Sequence, residues 1–204
     1  MPANTKISRE TIIDAAFEIV RKGGWAQLSA RSIAKRLKCS TMPIYSQFSS
    51  MADIDEEVVK KTVDLLEEYE SKPLTGKLPI DHGIGYVLFA WKEPYLFAAI
   101  NDRKHIGMQV KYGDRLFQKH VEERSRNPRL KGLSQEQLVN LEFQGWVFVH
   151  GFASMKNWLD ETQRNVTEED MVDFFRQAFR SQTYGIIQSQ PVSSPERKEK
   201  TEKK

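Results

Sequence analysis

The chain has 204 residues, of which 39% are hydrophobic and 29% are charged. This composition is typical of a folded protein with one large or two small domains. No stretch approaches the roughly 18 to 20 consecutive apolar residues that a membrane span requires, and residues 1–8 lack the apolar segment of a signal peptide. The single cysteine, Cys39, excludes an internal disulfide and a zinc site built on cysteines. We therefore expect a cytoplasmic protein with no membrane partner.

Charge is distributed unevenly along the chain. The formal net charge is +3, yet residues 1–50 hold eight Lys and Arg against three Asp and Glu, which gives +5. Residues 191–204 contribute +2, so residues 51–190 carry −4. A basic N-terminal segment on an acidic body favours contact of that segment with a polyanion, although a run of charges is also the ordinary solvated face of a helix.

The first fifty residues predict three helices. Apolar residues recur at spacings of three and four almost throughout the chain, and strand alternation is absent, so we expect an all-α fold of about nine helices. Ser8 begins the first helix and the glycines at 23–24 end it. Ser29 begins a short second helix, residues 38–39 form a turn, and Ser40 begins the third helix.

The rest of the chain predicts a linking helix, a body and a tail. Ser50 and Asp53 form a capping box that opens a long fourth helix, residues 51–71. Proline and glycine in residues 72–79 mark a boundary, which divides the chain into a head (1–50), a body (72–189) and a tail (190–204) that we expect to be disordered. Further helices are predicted at 80–92, 95–100, 108–126, from Ser134 over seven turns to Asp160, and from Thr167 to Gln188.

Residues 29–48 have the pattern of a helix-turn-helix, in which the second of two steeply crossed helices enters the major groove of DNA. Ile33, Ala34 and Leu37 can pack against Ile44 and Phe48, although a generic three-helix core would show the same apolar spacing. Outward hydroxyls would bind phosphates, and basic side chains would supply most of the affinity. The predicted DNA-contacting residues are Arg31, Lys35, Ser40, Thr41, Met42, Pro43, Tyr45, Ser46 and Ser49, with added charge from Arg36 and Lys38.

These residues carry a family resemblance. The order Ser29-x-Arg31-x-Ile33-Ala34-x-x-Leu37, then Ser40-x-x-x-Ile44-Tyr45-x-x-Phe48 and Asp53-Ile54, resembles the N-terminal signature of TetR/AcrR-family transcriptional regulators. Ile12-x-x-Ala15-Ala16 and Gly24-Trp25 extend the resemblance to about fifty residues. In the body, Trp146-x-x-x-His150-Gly151 resembles a motif in a subset of the family's ligand-binding domains. The resemblance implies a dimer that binds a near-palindromic double-stranded DNA operator and responds to a small-molecule effector, usually as a repressor.

The reading edge of the recognition helix departs from the family pattern. Members of the family often have a Lys directly after the aromatic residue that ends this helix, whereas this chain has Ser49. Pro43 removes one backbone donor, and Met42 favours apolar contact with thymine methyl groups. We therefore expect few direct hydrogen bonds to bases and more reliance on DNA shape.

The resemblance also implies an effector cavity in the body, where residues 80–150 hold more aromatic and Met residues than a small helical core needs. We expect a largely apolar effector in contact with Tyr86, Phe89, Trp91, Phe97, Met108, Tyr112, Phe117, Phe143, Trp146, Val147 and His150. His150 would be the main polar group, with Tyr86 and Tyr112 behind it, or equally a core histidine bonded to a backbone carbonyl. The other three histidines, at 82, 105 and 120, lack metal-ligand spacing, so we expect no metal or cofactor.

The last two long helices are the predicted dimer face. One stripe contains Leu138, Leu141, Gly145, Phe148, Val149, Phe152, Met155 and Leu159, and the other contains Met171, Phe174, Phe175, Ala178 and Ile186. Two such helices from each subunit would form a four-helix bundle. The alternative is that both stripes pack only within the chain.

Two other classes of function stay open. A helical DNA-binding module of the nucleoid type would have no effector site and would fill its body with side chains. An all-α enzyme would need convergent titratable groups, and the sequence has neither a catalytic triad pattern nor a glycine-rich phosphate loop. We expect that the chain is not an enzyme, and a cavity among Trp91, Phe117, Trp146 and His150 would distinguish a sensor from a simple binder.

Overall fold

The computed structural model describes residues 7–188, and the predicted disordered tail lies outside these residues. The described part contains ten α-helices, two short 3-10 turns and no strand. The helices are α1 (Arg9–Gly23), α2 (Ala30–Leu37), α3 (Met42–Gln47), α4 (Met51–Glu70), α5 (Leu78–Lys92), α6 (Pro94–Asn101), α7 (Ile106–Ser125), α8 (Gln135–Ala153), α9 (Lys156–Glu161) and α10 (Glu168–Gln188). None of them is long and apolar enough to cross a membrane.

Side-chain caps explain where half of these ten helices begin. Ser8 caps α1, and Ser29, Ser50 and Ser134 form capping boxes at α2, α4 and α8. Thr167 is hydrogen-bonded in the same manner to Asp170 at the start of α10. Each cap satisfies backbone N–H groups that the first helical turn leaves unpaired, and the sequence predicts a helix start at each of these residues.

Two predicted helix bounds were wrong. Ser40 does not cap the third helix, because Thr41 occupies the N-cap position and makes no side-chain cap hydrogen bond. The predicted seven-turn helix from Ser134 to Asp160 is two helices, α8 and α9. The backbone N–H of Ser154 bonds the carbonyls of His150 and Phe152, which closes the last turn of α8 and raises the helix count from nine to ten.

The head consists of α1, α2 and α3 packed around a shared core. Ile12, Ile33 and Ile44 are fully buried at its centre, and Phe48 at the end of α3 is 3% exposed. Lys38 ends α2 in the left-handed conformation (φ 52°), so the chain turns sharply into α3. The helix-turn-helix predicted at residues 29–48 therefore folds as expected.

The body is built around α5, which packs against α4, α8 and α10, while α7 packs against α4 and α8. Gly85 allows the close contact of α5 with α4, because a Cβ at this position would clash with the backbone of Tyr69 and Glu70. The loop between α4 and α5 coincides with the boundary predicted at residues 72–79. One hydrophobic core nevertheless runs from the head into the body, since α6 packs against both α1 and α4.

Candidate DNA interface and effector site

The recognition helix α3 exposes the side chains that the sequence predicts. Met42 is 78% exposed and Tyr45 is 57% exposed, whereas Ile44 between them is fully buried. Ser46 is exposed, but its hydroxyl donates to the carbonyl of Pro43 at 2.8 Å, which leaves it mainly an acceptor. The predicted residues Arg31, Lys35, Ser40 and Ser49 are also exposed, and Thr41 and Pro43 are half-buried. All nine predicted DNA-contacting residues lie on α2, on α3 or on the segments that flank α3.

Electrostatics favour a polyanion at this face. Residues 19–52 contain six Lys and Arg and no Asp or Glu. Arg36 is held 3.7 Å from Glu18 of α1, while Arg31, Lys35 and Lys38 extend from an exposed surface. A positive face of this kind supplies the non-specific, salt-dependent part of DNA affinity.

Arg9 fixes the C-terminal end of α3, a role that the sequence analysis missed. Its guanidinium lies 4.0 Å above the ring of Phe48, donates to the carbonyl of Gln47 and pairs with Glu57 of α4 at 2.7 Å. One side chain of α1 thus ties the recognition helix to the helix that follows it. Arg9 and Glu57 lie 48 residues apart in the sequence. Helical periodicity indicates contacts only between near neighbours, so it could not predict this pair.

Helix α4 connects the DNA-reading face to the body. It begins at Met51, three residues after Phe48, and its 20 residues span about 30 Å. Acidic side chains along one side of α4 are paired with α7: Glu56 accepts from Lys111 and Tyr112, and Glu67 accepts from Arg115 and Lys119. These pairs keep α4 and α7 in register.

A second junction joins the head to the body beside α6. Arg21 at the end of α1 forms a close ion pair with buried Glu93. Trp25 lies 3.9 Å from the ring of buried His105, and Lys104 pairs with Asp55 of α4 at 2.9 Å. The head is therefore joined to the body in two ways, through α4 and through the contacts of the segments on either side of α6.

A small cavity of about 40 Å³ lies at the C-terminal end of α4. Its lining combines charged side chains with aromatic and aliphatic ones. The lining residues are Glu70, Pro79, His82, Gly83, Tyr86, His120, Arg124, Glu142, Gly145, Trp146, Val149 and Phe179. The volume suits one water molecule or one small functional group.

Four side chains of the lining form a buried charged network. His120 lies 3.3 Å from Glu142 and 3.6 Å from Glu70, and Arg124 donates to Glu142 in a close ion pair. Burial opposes the ionisation of Glu142, but the hydrogen bond from His120 and the charge of Arg124 outweigh it and hold its pKa at about 2. Burial raises the pKa of Glu70 to about 8, so this carboxyl is mostly neutral at pH 7.

His120 and the neighbouring His82 have opposite protonation tendencies. Burial and the neighbouring charge of His120 together lower the pKa of His82 to about 3; the two rings are stacked 4.1 Å apart. Burial also disfavours charged His120, but Glu142 and Glu70 outweigh it and raise the pKa of His120. His82 is therefore neutral, and the ionised form of His120 is favoured by its contacts with Glu142 and Glu70.

An aromatic cluster borders the cavity on the side of α6. The hydroxyl of Tyr86 lies 2.8 Å from Nδ1 of His150, and burial lowers the pKa of His150. Phe97 contacts both rings, at 5.8 Å and 5.6 Å, and Trp146 lies 5.3 Å from His150. His150 is thus bonded to a tyrosine side chain, not to a backbone carbonyl.

Comparisons with known proteins identify the head. Residues 12–58 match the family model described as bacterial regulatory proteins of the TetR family, and these residues form α1, α2, α3 and the first part of α4. The head of the chain is a TetR-family helix-turn-helix domain, and an all-helical body follows it.

Two solved structures have a fold similar to that of most of the chain. One is a protein with unknown function from Rhodococcus sp. RHA1, with a TM-score of 0.66, 15% identity and coverage of 91% of this chain and 98% of that chain. The other is a TetR variant from Acinetobacter baumannii AYE in complex with minocycline, with a TM-score of 0.53, 14% identity and coverage of 89% and 97%. At this identity the likeness shows the fold alone. A search of curated proteins found no match.

The predicted effector residues of the body do not all lie together. Tyr86, Phe89, Phe97, Trp146 and His150 contact one another, and Phe143 extends this group towards the surface. Trp91 was misplaced, because it stacks on Phe152 and donates to the carbonyl of Ala153. Met108 packs on the main core, and Val147 is half exposed.

Two further effector assignments were wrong. Tyr112 does not lie behind His150, because its hydroxyl donates to Glu56 of α4 at 2.6 Å. Phe117 packs on a separate small core formed with Val121 and Leu138. The cavity is therefore not the one predicted among Trp91, Phe117, Trp146 and His150. The sequence did not predict the charged network, because its members come from three helices that lie far apart in the chain. No short-range motif connects them.

Most residues of the two predicted dimer stripes are buried within the chain, so they are not available to a second copy. Leu138, Leu141, Val149, Met171 and Phe175 are buried within the chain, because α8 and α10 pack against α5. Some large apolar side chains remain exposed on α8, on α9, on α10 and in the short link between α8 and α9. They are Phe143, Trp146, Val147, Met155, Trp158, Phe174, Tyr184 and Ile187.

Proposed function

We propose that the chain is a dimeric, ligand-responsive transcriptional repressor. Its two recognition helices would enter successive major grooves about 34 Å apart on a near-palindromic operator, and an effector bound in the body would release the DNA. The observation that carries this proposal is the position of α4. One end of this helix follows the recognition helix, and the other end supplies Glu70 to the cavity.

The exposed surface of α8 and α10 supports dimerisation. In a chain that is 29% charged, the only Asp, Glu, Lys or Arg between Gln137 and Met155 is Glu142, and it is buried. Gly151 on α8 and Gly185 on α10 have open space where a Cβ would lie. The uncharged exposed face of α8, together with the small residues on α8 and α10, favours close packing against a second copy of the chain in a two-fold four-helix bundle.

The energetic demand on the effector is modest. A hundredfold loss of operator affinity corresponds to about 2.7 kcal/mol, so the effector must prefer the non-binding conformation by only that amount. A displacement of the C-terminal end of α4 would be transmitted along a rigid helix to α3, and the ion pairs with α7 would move with it.

The experiment that tests this proposal measures the spacing of the two heads. A Cys39→Ser background with Lys22→Cys, an exposed position of α1 outside the predicted DNA contacts, places one spin label on each head, and dipolar spectroscopy reports their separation. We expect one narrow distance in the operator complex and a shifted or broadened distance once an effector releases the DNA. A distance that is unchanged on release would contradict transmission through α4, and the absence of any dipolar signal would contradict the dimer.

A sensorless DNA-binding module is the weaker alternative. Such a protein would fill its body with side chains and would not need buried charged groups around an open volume. The cavity at Glu70 and the hydrogen-bonded pair of Tyr86 and His150 favour a sensor.

A further inference from the structure

The cavity combines an incompletely satisfied acid with an aromatic wall. Oε2 of Glu70 is buried and has no hydrogen-bond partner, although the side chain lines the cavity. Oε2 of Glu123, which lies 3.4 Å from Nε2 of His82, is likewise buried without a hydrogen bond. A buried carboxyl oxygen without a hydrogen bond is costly, so each marks a position where a polar partner is missing.

The unbonded polar atoms at this site are all oxygens of carboxyl groups. Among the described residues that form the cavity and its network, the buried side-chain atoms without a hydrogen bond are carboxylate oxygens, and none is a nitrogen. Arg124 is already paired with Glu142, and His120 lies between two carboxyl groups. An anionic ligand would therefore find its cations engaged and would approach Glu70 unfavourably.

The aromatic wall suits the body of an organic cation. Tyr86, Trp146 and Phe179 line the same cavity as Glu70, and Trp146 is 38% exposed, so the aromatic wall reaches the surface. The ring of Phe143 lies 5.9 Å from that of Trp146 and is half exposed, so it continues this wall outward. Aromatic faces attract ammonium groups when water is excluded.

We propose that this cavity takes the protonated amine of a small organic cation, with its ammonium group on Glu70 and its apolar body along Trp146 and Phe143. This inference rests on the proposed function and names the chemical class of the effector. The cavity of about 40 Å³ fits an ammonium head group, and the rest of the molecule lies towards the surface. The sequence predicted a largely apolar effector, and the proposed effector carries a charged amine in addition to its apolar body.

Binding would be linked to the release of a proton. Glu70 must ionise to pair with the amine, and its raised pKa means that it gives up a proton in doing so. The charged or titratable groups around Glu70 are Glu67 on α4, His82 on α5, His120, Lys119 and Arg124 on α7, and Glu142 on α8. The affinity for the amine should therefore rise with pH by up to about tenfold per unit and level off near the pKa of Glu70.

The test compares three probes of matched shape by calorimetry on the full chain without DNA. Phenethylamine is the cation, hydrocinnamate the anion and phenethyl alcohol the neutral form. We expect saturable binding of the amine only, with proton release detected in buffers of different ionisation enthalpy. Glu70→Gln should weaken amine binding by about thirtyfold, whereas Glu68→Gln, an exposed carboxylate on the same helix, should leave it unchanged.

Three results would overturn the inference: no saturable binding of the amine, equal or tighter binding of the acid or the alcohol, or an unchanged affinity in Glu70→Gln. A change of fold is monitored by circular dichroism, and the conservative Glu70→Asp should recover part of the affinity. Operator binding is measured on the same samples. Loss of amine binding with operator binding intact rejects only this inference, whereas amine binding without any DNA binding rejects only the proposed function.

Discussion

Replacing Glu70 with Gln should stabilise the protein, and the gain should grow with pH. Glu70 is buried at the end of α4 with one oxygen unbonded, so ionisation of this carboxyl is unfavourable in the folded state. The side chain of Gln has nearly the same shape but does not ionise. The variant therefore removes the titration and leaves the packing in place.

The size of the effect follows from the shift of the pKa. Burial moves the pKa of Glu70 from 4.5 to about 8, and each unit corresponds to about 1.4 kcal/mol, which gives about 5 kcal/mol as an upper limit. Because the folded pKa is raised, stability is unaffected below pH 4.5, falls as the pH rises from 4.5 to about 8, and is constant above that value. The wild-type chain should lose this amount relative to Glu70→Gln across the same window.

Thermal unfolding at equal protein concentration measures the difference. For a chain of this length one kcal/mol corresponds to about 3 °C, so the melting temperature of Glu70→Gln relative to wild type should increase by about 10 °C between pH 5 and pH 8.5. Glu68→Gln is the matched control because Glu68 is exposed, and its difference should not depend on pH. A constant difference for Glu70→Gln across this range would refute the burial of an unfavourable acid.

Three further substitutions test the DNA face, the dimer face and the head–body junction. Tyr45→Ala should weaken operator and unrelated DNA alike by about 1 to 1.5 kcal/mol in anisotropy titrations, and a loss at one base only would mean that Tyr45 reads sequence. Val147→Arg should shift the sedimenting species from dimer to monomer, whereas Val110→Arg on α7, an equally exposed valine, should not. Arg21→Ala breaks the pair with Glu93 and should reduce effector-driven release severalfold without weakening effector-free operator binding; unchanged release would exclude this route.

Sequence reasoning recovered the head and most helix starts because both depend on local chemistry. A serine or threonine followed three residues later by a partner side chain satisfies the first turn of a helix wherever it occurs, as at Ser50 and Asp53. The helix-turn-helix needs only apolar spacing within twenty residues. Even the exposure of Met42 and Tyr45 followed from the burial of Ile44 on a short helix.

The effector site could be predicted only in part because it depends on packing between distant helices. The spacing of Trp146 and His150 placed both on one face of a helix, and the structure brings Tyr86 to that face. The charged network needs contacts between Glu70, His120 and Glu142, which lie 22 to 72 residues apart. The dimer stripes were misassigned because apolar periodicity shows that a face is buried but does not show whether the chain or its partner buries it.

The measurement that most directly tests the account is selection of bound sites from random double-stranded DNA by the full chain. A two-fold regulator should select an inverted repeat whose half-sites are centred one helical turn, about 34 Å, apart. The half-sites should contain T-rich steps where Met42 and Pro43 face the groove. Recovery of direct repeats, of single half-sites or of no enriched sequence would contradict a two-fold regulator that reads DNA through α3.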